Sequence, residues 1–216
     1  MKAAICLIIE DDHDFSISYV LDVLVWSTNY NLSLHLFFNN VSKLELIALY
    51  DSLMKEKIYD LGIRKAKIED LQKSDKTLPH HVIYNYLLKN VKEKEVVFFP
   101  YDIIVPVNWL EDAIYQKNKI KDCIGIGIKT KNDLTITITH EAFSKGLENK
   151  TEVCFMPTRG KFNGPFIIEK QILDAKRGFK VSENQYLFDN YLYYADENPN
   201  LKIILAKKIN CFSIKT

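Results

Sequence analysis

The fifteen residues from Val96 to Leu110, VVFFPYDIIVPVNWL, limit what this chain can fold into more than any other stretch. Val96 to Phe99 is an apolar run too short for a helix. The charged KEKE precedes it, so it reads as a strand buried in a parallel sheet. Pro100 has no N–H to donate to a ladder and marks where pairing stops. Asp102 follows, then Pro106, then WLEDAI, where the spacing of Trp109, Leu110, Ala113 and Ile114 predicts an amphipathic helix. One carboxylate thus stands just past the carboxyl end of a central strand. Open α/β sheets bind ligands at that place, because the loops there are free of packing duty and helix N-termini point at the ligand.

The residues before this stretch alternate between strand and helix signals. AAICLII at 3–9 is continuously apolar and ends in the acids Glu10, Asp11 and Asp12, as a first buried parallel strand would. Ser16 then precedes a helix with Ile17, Val20, Leu21 and Leu24 on one face. Leu32 to Phe38 reads as a second strand, closed by Asn39 and Asn40. Ser42 is expected to cap a helix reaching about Lys57, with Leu46, Leu49 and Leu53 as its stripe. Between Ile58 and Lys76 only a short strand at 58–63 can be placed. Pro79 opens a helix over about 80–90, with Val82, Ile83, Tyr86 and Leu87 as the expected buried face.

Beyond the Trp109 helix, CIGIGI at 123–128 reads as a strand whose Gly125 and Gly127 permit close approach of another group. DLTITITH at 133–140 alternates with period two and predicts an antiparallel strand. Residues 141–165 read as a loop-rich insertion. Phe166 to Lys176 is expected to begin as strand and become helix, and Gly178 to stop it. An aromatic-rich helix at 181–198, with Tyr186, Tyr191, Tyr193 and Tyr194, and a last strand at 201–205 before Lys207 and Lys208 complete the chain. The tyrosines are either core and partner-facing surface or a sugar-stacking platform.

Charge and cysteines narrow the class. With 29 Lys and Arg against 28 Asp and Glu in 216 residues, there is no excess positive field to hold nucleic acid or an anionic membrane. The cysteines Cys6, Cys123, Cys154 and Cys211 never fall in a CxxC spacing and read as buried free thiols of a reducing compartment. No segment approaches the roughly 20 apolar residues of a membrane span, and AAICLII lacks the length and cleavage site of a signal peptide. The expectation is a cytoplasmic protein of one domain. His80 and His81 would point about 100° apart on a helix, too far to share a metal, and read as surface or capping residues.

Two resemblances follow. ICLIIEDDHD is similar to the first strand of response-regulator receiver domains, whose acidic cluster holds magnesium for aspartyl phosphorylation. That mechanism needs an aspartate at the end of the third strand. The chain there reads KEKIYDLGIRKA, with Asp51 inside a helix stripe and Asp60 ahead of the apolar pair. The receiver-like domain is the third-ranked reading.

The larger resemblance covers most of the chain. PHHVIYNYLLKNVKEKEVVFFPYDIIVPVNWLEDAI, and later RGFKVSENQYLFDNYLYYADENPNLKIILAKKI, resemble the family-2-like glycosyltransferases of the GT-A fold. The resemblance implies a single GT-A-like, Rossmann-like α/β domain over 1–216, with a mostly parallel central sheet flanked by helices and a small antiparallel addition. Residues 1–110 would be its nucleotide-binding half and 111–216 its acceptor-side half. It further implies sugar transfer from a nucleotide-sugar donor to a sugar or glycan acceptor, with a divalent Mn or Mg ion as cofactor. Asp102 falls at the last acid of the family's DxD turn and would be the metal ligand as well as a donor contact. Glu10, Asn39, Asn40 and Asn85 fall where the family contacts the nucleotide-sugar, and Asp189 falls where inverting members keep the base. Three positions depart from the pattern: Pro100 replaces the first DxD acid, Phe188 the acid before Asp189, and the chain offers Cys211 and Ser213 where the family often has a histidine. These departures fit a metal-independent transferase or a catalytically degenerate domain that binds a nucleotide, a sugar or a protein partner.

Overall fold

The computed structural model describes residues 1–11, 17–131, 153–155, 164–175 and 202–213. The elements run β1 (Lys2–Ile9), α1 (Ile17–Trp26), β2 (Asn31–Asn39), α2 (Leu44–Glu56), β3 (Ile58–Asp60) and β4 (Lys65–Ser74). They continue with α3 (His80–Leu88), β5 (Glu95–Phe98), β6 (Ile103–Ile104), α4 (Trp109–Lys119) and β7 (Cys123–Lys131). The last are β8 (Val153–Phe155), β9 (Phe166–Glu169), α5 (Lys170–Ala175) and β10 (Lys202–Ser213). The strands form one sheet in the order β3-β4-β2-β1-β5-β9-β7-β10-β6, with β8 on the flank of β10.

β1 is apolar from Ala3 to Ile9 because both of its faces are covered there. Ala3, Ile5, Leu7 and Ile9 pack in one cluster with Ile17, Val20, Leu21 and Leu24 of α1 and with Trp109 and Leu110 of α4. Ala4, Cys6 and Ile8 face the other way, against Ile83, Tyr84, Leu87 and Leu88 of α3. Parallel pairing of β4, β2, β1 and β5 forms the heart of the sheet. β9 then runs antiparallel between β5 and β7, and β7 pairs parallel with β10. Such a heart puts the carboxyl ends of β1, β2, β4 and β5 on one edge, where the chain must turn and loops gather.

Several expectations shift in detail. The charged stretch 58–76 is two strands, because Ala66, Ile68 and Asp70 of β4 point inward while Lys65, Lys67 and Glu69 face water. α3 is rotated from its expected face: Ile83, Tyr84, Leu87 and Leu88 are buried, whereas Val82 and Tyr86 are 43% and 40% exposed. Tyr84 takes the inner position by meeting Phe98 edge to face at 4.8 Å. The expected loop at 141–165 contains β8, which pairs antiparallel with β10. β10 runs on past residue 205, and a register shift between Ala206 and Cys211 lets Lys207 and Lys208 lie within a strand.

Ser42 does not cap α2, whose N-cap residue is Lys43 with no side-chain cap bond. Cys6 and Cys211 are buried free thiols and Cys123 is a half-buried one. Burial pushes the thiols of Cys6 and Cys211 far up, with Asp70 and Glu93 adding to the effect at Cys6. Among the described residues no helix is long and apolar enough to cross a membrane. The strand expected at 133–140 and the helix at 181–198, with its tyrosines and Asp189, lie outside the described residues.

Candidate functional site at the carboxyl edge of the sheet

The register of the parallel strands determines which residues meet at this edge. Ile9 pairs with Phe38, so Glu10 and Asn39 follow on the next rung of neighbouring strands. Cys6 pairs with Phe98, and Glu10 and Asp102 each lie four residues further along their chains. Asp102 sits half-buried at the end of the four-residue connection, 99–102, between β5 and β6. β6 pairs with the end of β10, Ile103 opposite Ser213 and Ile104 opposite Phe212, so the end of the last strand borders the same turn.

Glu10 is the most elaborately held group at this edge. Its Oε1 accepts a hydrogen bond from Asn39 Nδ2 at 2.6 Å and lies 3.2 Å from His80 Nε2. Asn39 is only 2% exposed and uses both ends of its amide on the backbone of Leu78. Its Oδ1 accepts the Leu78 N–H at 2.9 Å, and its Nδ2 donates to the Leu78 carbonyl at 3.1 Å. Asn40 has a positive φ of 54°, which turns the chain out of β2, and its side-chain amide donates to Thr77 Oγ1 at 3.0 Å. Asparagine is among the few residues that adopt this backbone readily. Asn85 lies half-buried on α3.

Asp11 does a different job from Glu10. Its Oδ1 accepts the Lys43 N–H at 3.2 Å, and its Oδ2 accepts the N–H and the hydroxyl of Ser42. It therefore ties down the chain entering α2 at Ser42 and at the N-cap residue Lys43. Desolvation works against its charge, but the bonds from Ser42 and Lys43 hold its carboxyl below the ordinary value.

The receiver arrangement does not form. Asp60 pairs with Lys65, the first residue of β4, and so lies at the opposite end of the sheet from Glu10 and Asp11. A 2.6 Å ion pair to Lys65 and the Gly62 N–H occupy its carboxylate. Asp51 is exposed on α2.

Of the expected site residues, Glu10, Asn39, Asn40 and Asp102 gather at this edge, Asn85 lies on α3 five residues past His80, and Asp189 falls outside the described residues. His80, expected as a surface or capping residue, is partly exposed at the start of α3 and also meets Glu10, a partner 70 residues away that leaves no local signal. As for a metal, Cys211 is a poor ligand, being a fully buried thiol kept protonated. Among the described residues no group of three or more His, Cys, Asp or Glu side chains is placed to hold an ion. Asp102 alone still fits an ion that takes one carboxylate from protein and the rest of its shell from water and phosphate oxygens, as magnesium commonly does.

No protein-family model matches this sequence, and no curated protein matches it either. Solved structures do match. S. aureus TarS 1–349 in complex with UDP-GlcNAc superposes with a TM-score of 0.66 at 14% identity, over 100% of this chain and 59% of that one. The mannosyltransferase PcManGT from Pyrobaculum calidifontis, in complex with GDP-Man and Mn2+, gives 0.63 at 12%, over 98% and 56%. GalNAc-T7 with UDP, GalNAc and Mn2+ gives 0.67 at 11%, over 99% and 44%. The chain has a GT-A-like fold, a single α/β domain with a mixed sheet flanked by helices. It spans less than two thirds of the length of each of these chains.

Proposed function

We propose that the chain binds a nucleotide-sugar at the carboxyl edge of its sheet and transfers the sugar to a sugar or glycan acceptor. The observation that supports this most is the convergence of Glu10, Asn39, Asn40 and Asp102 at the ends of neighbouring parallel strands, in a fold shared with structures solved with UDP-GlcNAc, GDP-Man and UDP. In this reading residues 1–110 hold the nucleotide and 111–216 the acceptor. Glu10 meets the nucleoside, Asn40 and Asn85 line the donor site, and Asp102 faces the diphosphate. A divalent ion held by Asp102 would supply positive charge to the leaving diphosphate. Asp189 would take the proton from the acceptor hydroxyl. The free thiols Cys6, Cys123 and Cys211 favour a reducing, cytoplasmic setting.

A second reading, a binding domain that has lost transfer, is favoured by Pro100, which leaves one carboxylate in the turn where the resemblance calls for two. The two readings separate on turnover. Incubated with UDP- and GDP-sugars, a transferase releases the nucleoside diphosphate by transfer or slow hydrolysis. Asp189→Asn should lower that release at least about a hundredfold while nucleotide affinity holds, the usual size of a general-base contribution. Nucleotide binding by the parent with no release from any donor would establish the binding domain instead.

A further inference from the structure

We propose that His80 and Asn39 are positioning residues that hold the Glu10 carboxylate for the N–H or O–H donors of the nucleoside, a role that rests on the donor-site reading above. Asn39 is sealed at 2% exposure, and its amide is spent on Leu78 and on Glu10. It reaches a ligand only through Glu10. His80 stands on the open side of the same oxygen, its side chain 41% exposed, with Glu10 at 21%. With its proton on Nε2, His80 donates to Oε1 at 3.2 Å while Tyr84 meets its ring edge to face at 6.5 Å.

One donor thus comes from the second strand and one from the first residue of α3, and both converge on one carboxylate oxygen. A carboxylate free to swing would lose rotamer freedom on meeting a ligand; this one is already oriented, which lowers the entropic cost of binding. Tyr84 cannot offer a competing charge, because burial keeps its phenol protonated. His81, the next residue, is half-buried on α3 and faces away by the helical turn.

The test is titration calorimetry on the whole chain with UDP and GDP, each with Mn2+, and with pyrophosphate and Mn2+ as a ligand that has no nucleoside. His80→Phe keeps a ring beside Tyr84 and removes the donor, so nucleotide affinity should fall by about tenfold or more, as expected for a lost hydrogen bond to a charged group. His80→Gln places an N–H near the position of Nε2 and should restore the affinity. Glu10→Gln should weaken nucleotides by at least as much as His80→Phe, and adding His80→Phe to it should change nothing further. Pyrophosphate should bind all variants alike. Parental affinity in His80→Phe, equal weakening of nucleotide and pyrophosphate, or additive effects in the double variant would each overturn the assignment. A parent that binds no nucleotide at all would overturn the donor-site reading and this role with it, an outcome distinct from the other three.

Discussion

At the amino end of the sheet Lys117 is sealed between Glu95 and Glu169, at 3.1 and 2.8 Å, with its own side chain fully buried. At the carboxyl end Glu10 is held by Asn39 and His80 with a fifth of its side chain still exposed. Both arrangements fix a carboxylate on the rim of the same strands. In the first, an opposite charge closes the group off, and Lys94 adds a second cation to Glu169 at 3.4 Å. Burial works against the Glu169 charge, but the two lysines hold its carboxyl below the ordinary value. In the second, an amide and an imidazole orient the carboxylate at an edge bordered by turns. The difference marks one end as closed internal structure and the other as open to solvent, which is why the ligand is proposed there.

The largest effect is expected at Lys117. Lys117→Met leaves the buried Glu95 beside the half-buried Glu169 without their shared cation, which should cost about 3–5 kcal/mol in urea unfolding. A loss below about 1 kcal/mol would mean the pair is solvated and the amino end is not closed. A smaller effect is expected where β7 meets β9. A Cβ on Gly125 would stand 2.8 Å from Phe166 Cζ and 3.1 Å from the Ile167 carbonyl oxygen. Gly125→Ala should therefore destabilise by about 1–3 kcal/mol, with denaturant midpoint as the readout.

The smallest expected effect is on pH dependence. His35 is fully buried in β2, in register with Cys6 and Asp70, and neither ring nitrogen has a hydrogen-bond partner among the described residues. Desolvation lowers its proton affinity below the ordinary 6.5, against an opposing pull from Glu93, Asp70 and Glu69. Below about pH 6.5 the unfolded chain takes up a proton that the folded chain refuses. Stability is therefore fully present above that pH and falls as the solution is acidified, by at most about 1.4 kcal/mol per pH unit. His35→Phe should remove this slope between pH 6.5 and 5. An unchanged slope in thermal melts of the variant would show that the proton goes elsewhere.

What was legible in the sequence follows from where each signal resides. β1, β5 and the α4 face of Trp109, Leu110, Ala113 and Ile114 were readable because continuous burial on two faces, or on one helical stripe, writes itself into local spacing. β4 was hidden because its third inward residue is Asp70, satisfied by Gln72 and by Asn90 from beyond α3. The α3 face was misjudged because Tyr84 and Tyr86 are equivalent in a hydrophobic pattern, while in the fold Tyr84 enters the core beside Phe98 and Tyr86 meets Phe37 from the exposed side. Glu10 and Asp102 lie past the carboxyl ends of β1 and β5, where the apolar runs before them pointed. The donors that hold Glu10 were not legible, since His80 and Asn39 reach it across 70 and 29 residues.

On the proposed function, the carboxyl edge holds a nucleoside diphosphate through Asp102 and the amino end takes no part. Calorimetric titration of UDP and GDP with and without Mn2+, on the parent, Asp102→Asn and Glu169→Gln, tests it directly. The parent should bind one of the nucleotides. Chelating the ion or replacing Asp102 should weaken that binding by at least about tenfold, because the same carboxylate and charge hold the diphosphate. Glu169→Gln should bind as the parent does. Nucleotide binding untouched by Asp102→Asn, or lost with Glu169→Gln while that variant stays folded, would contradict the account.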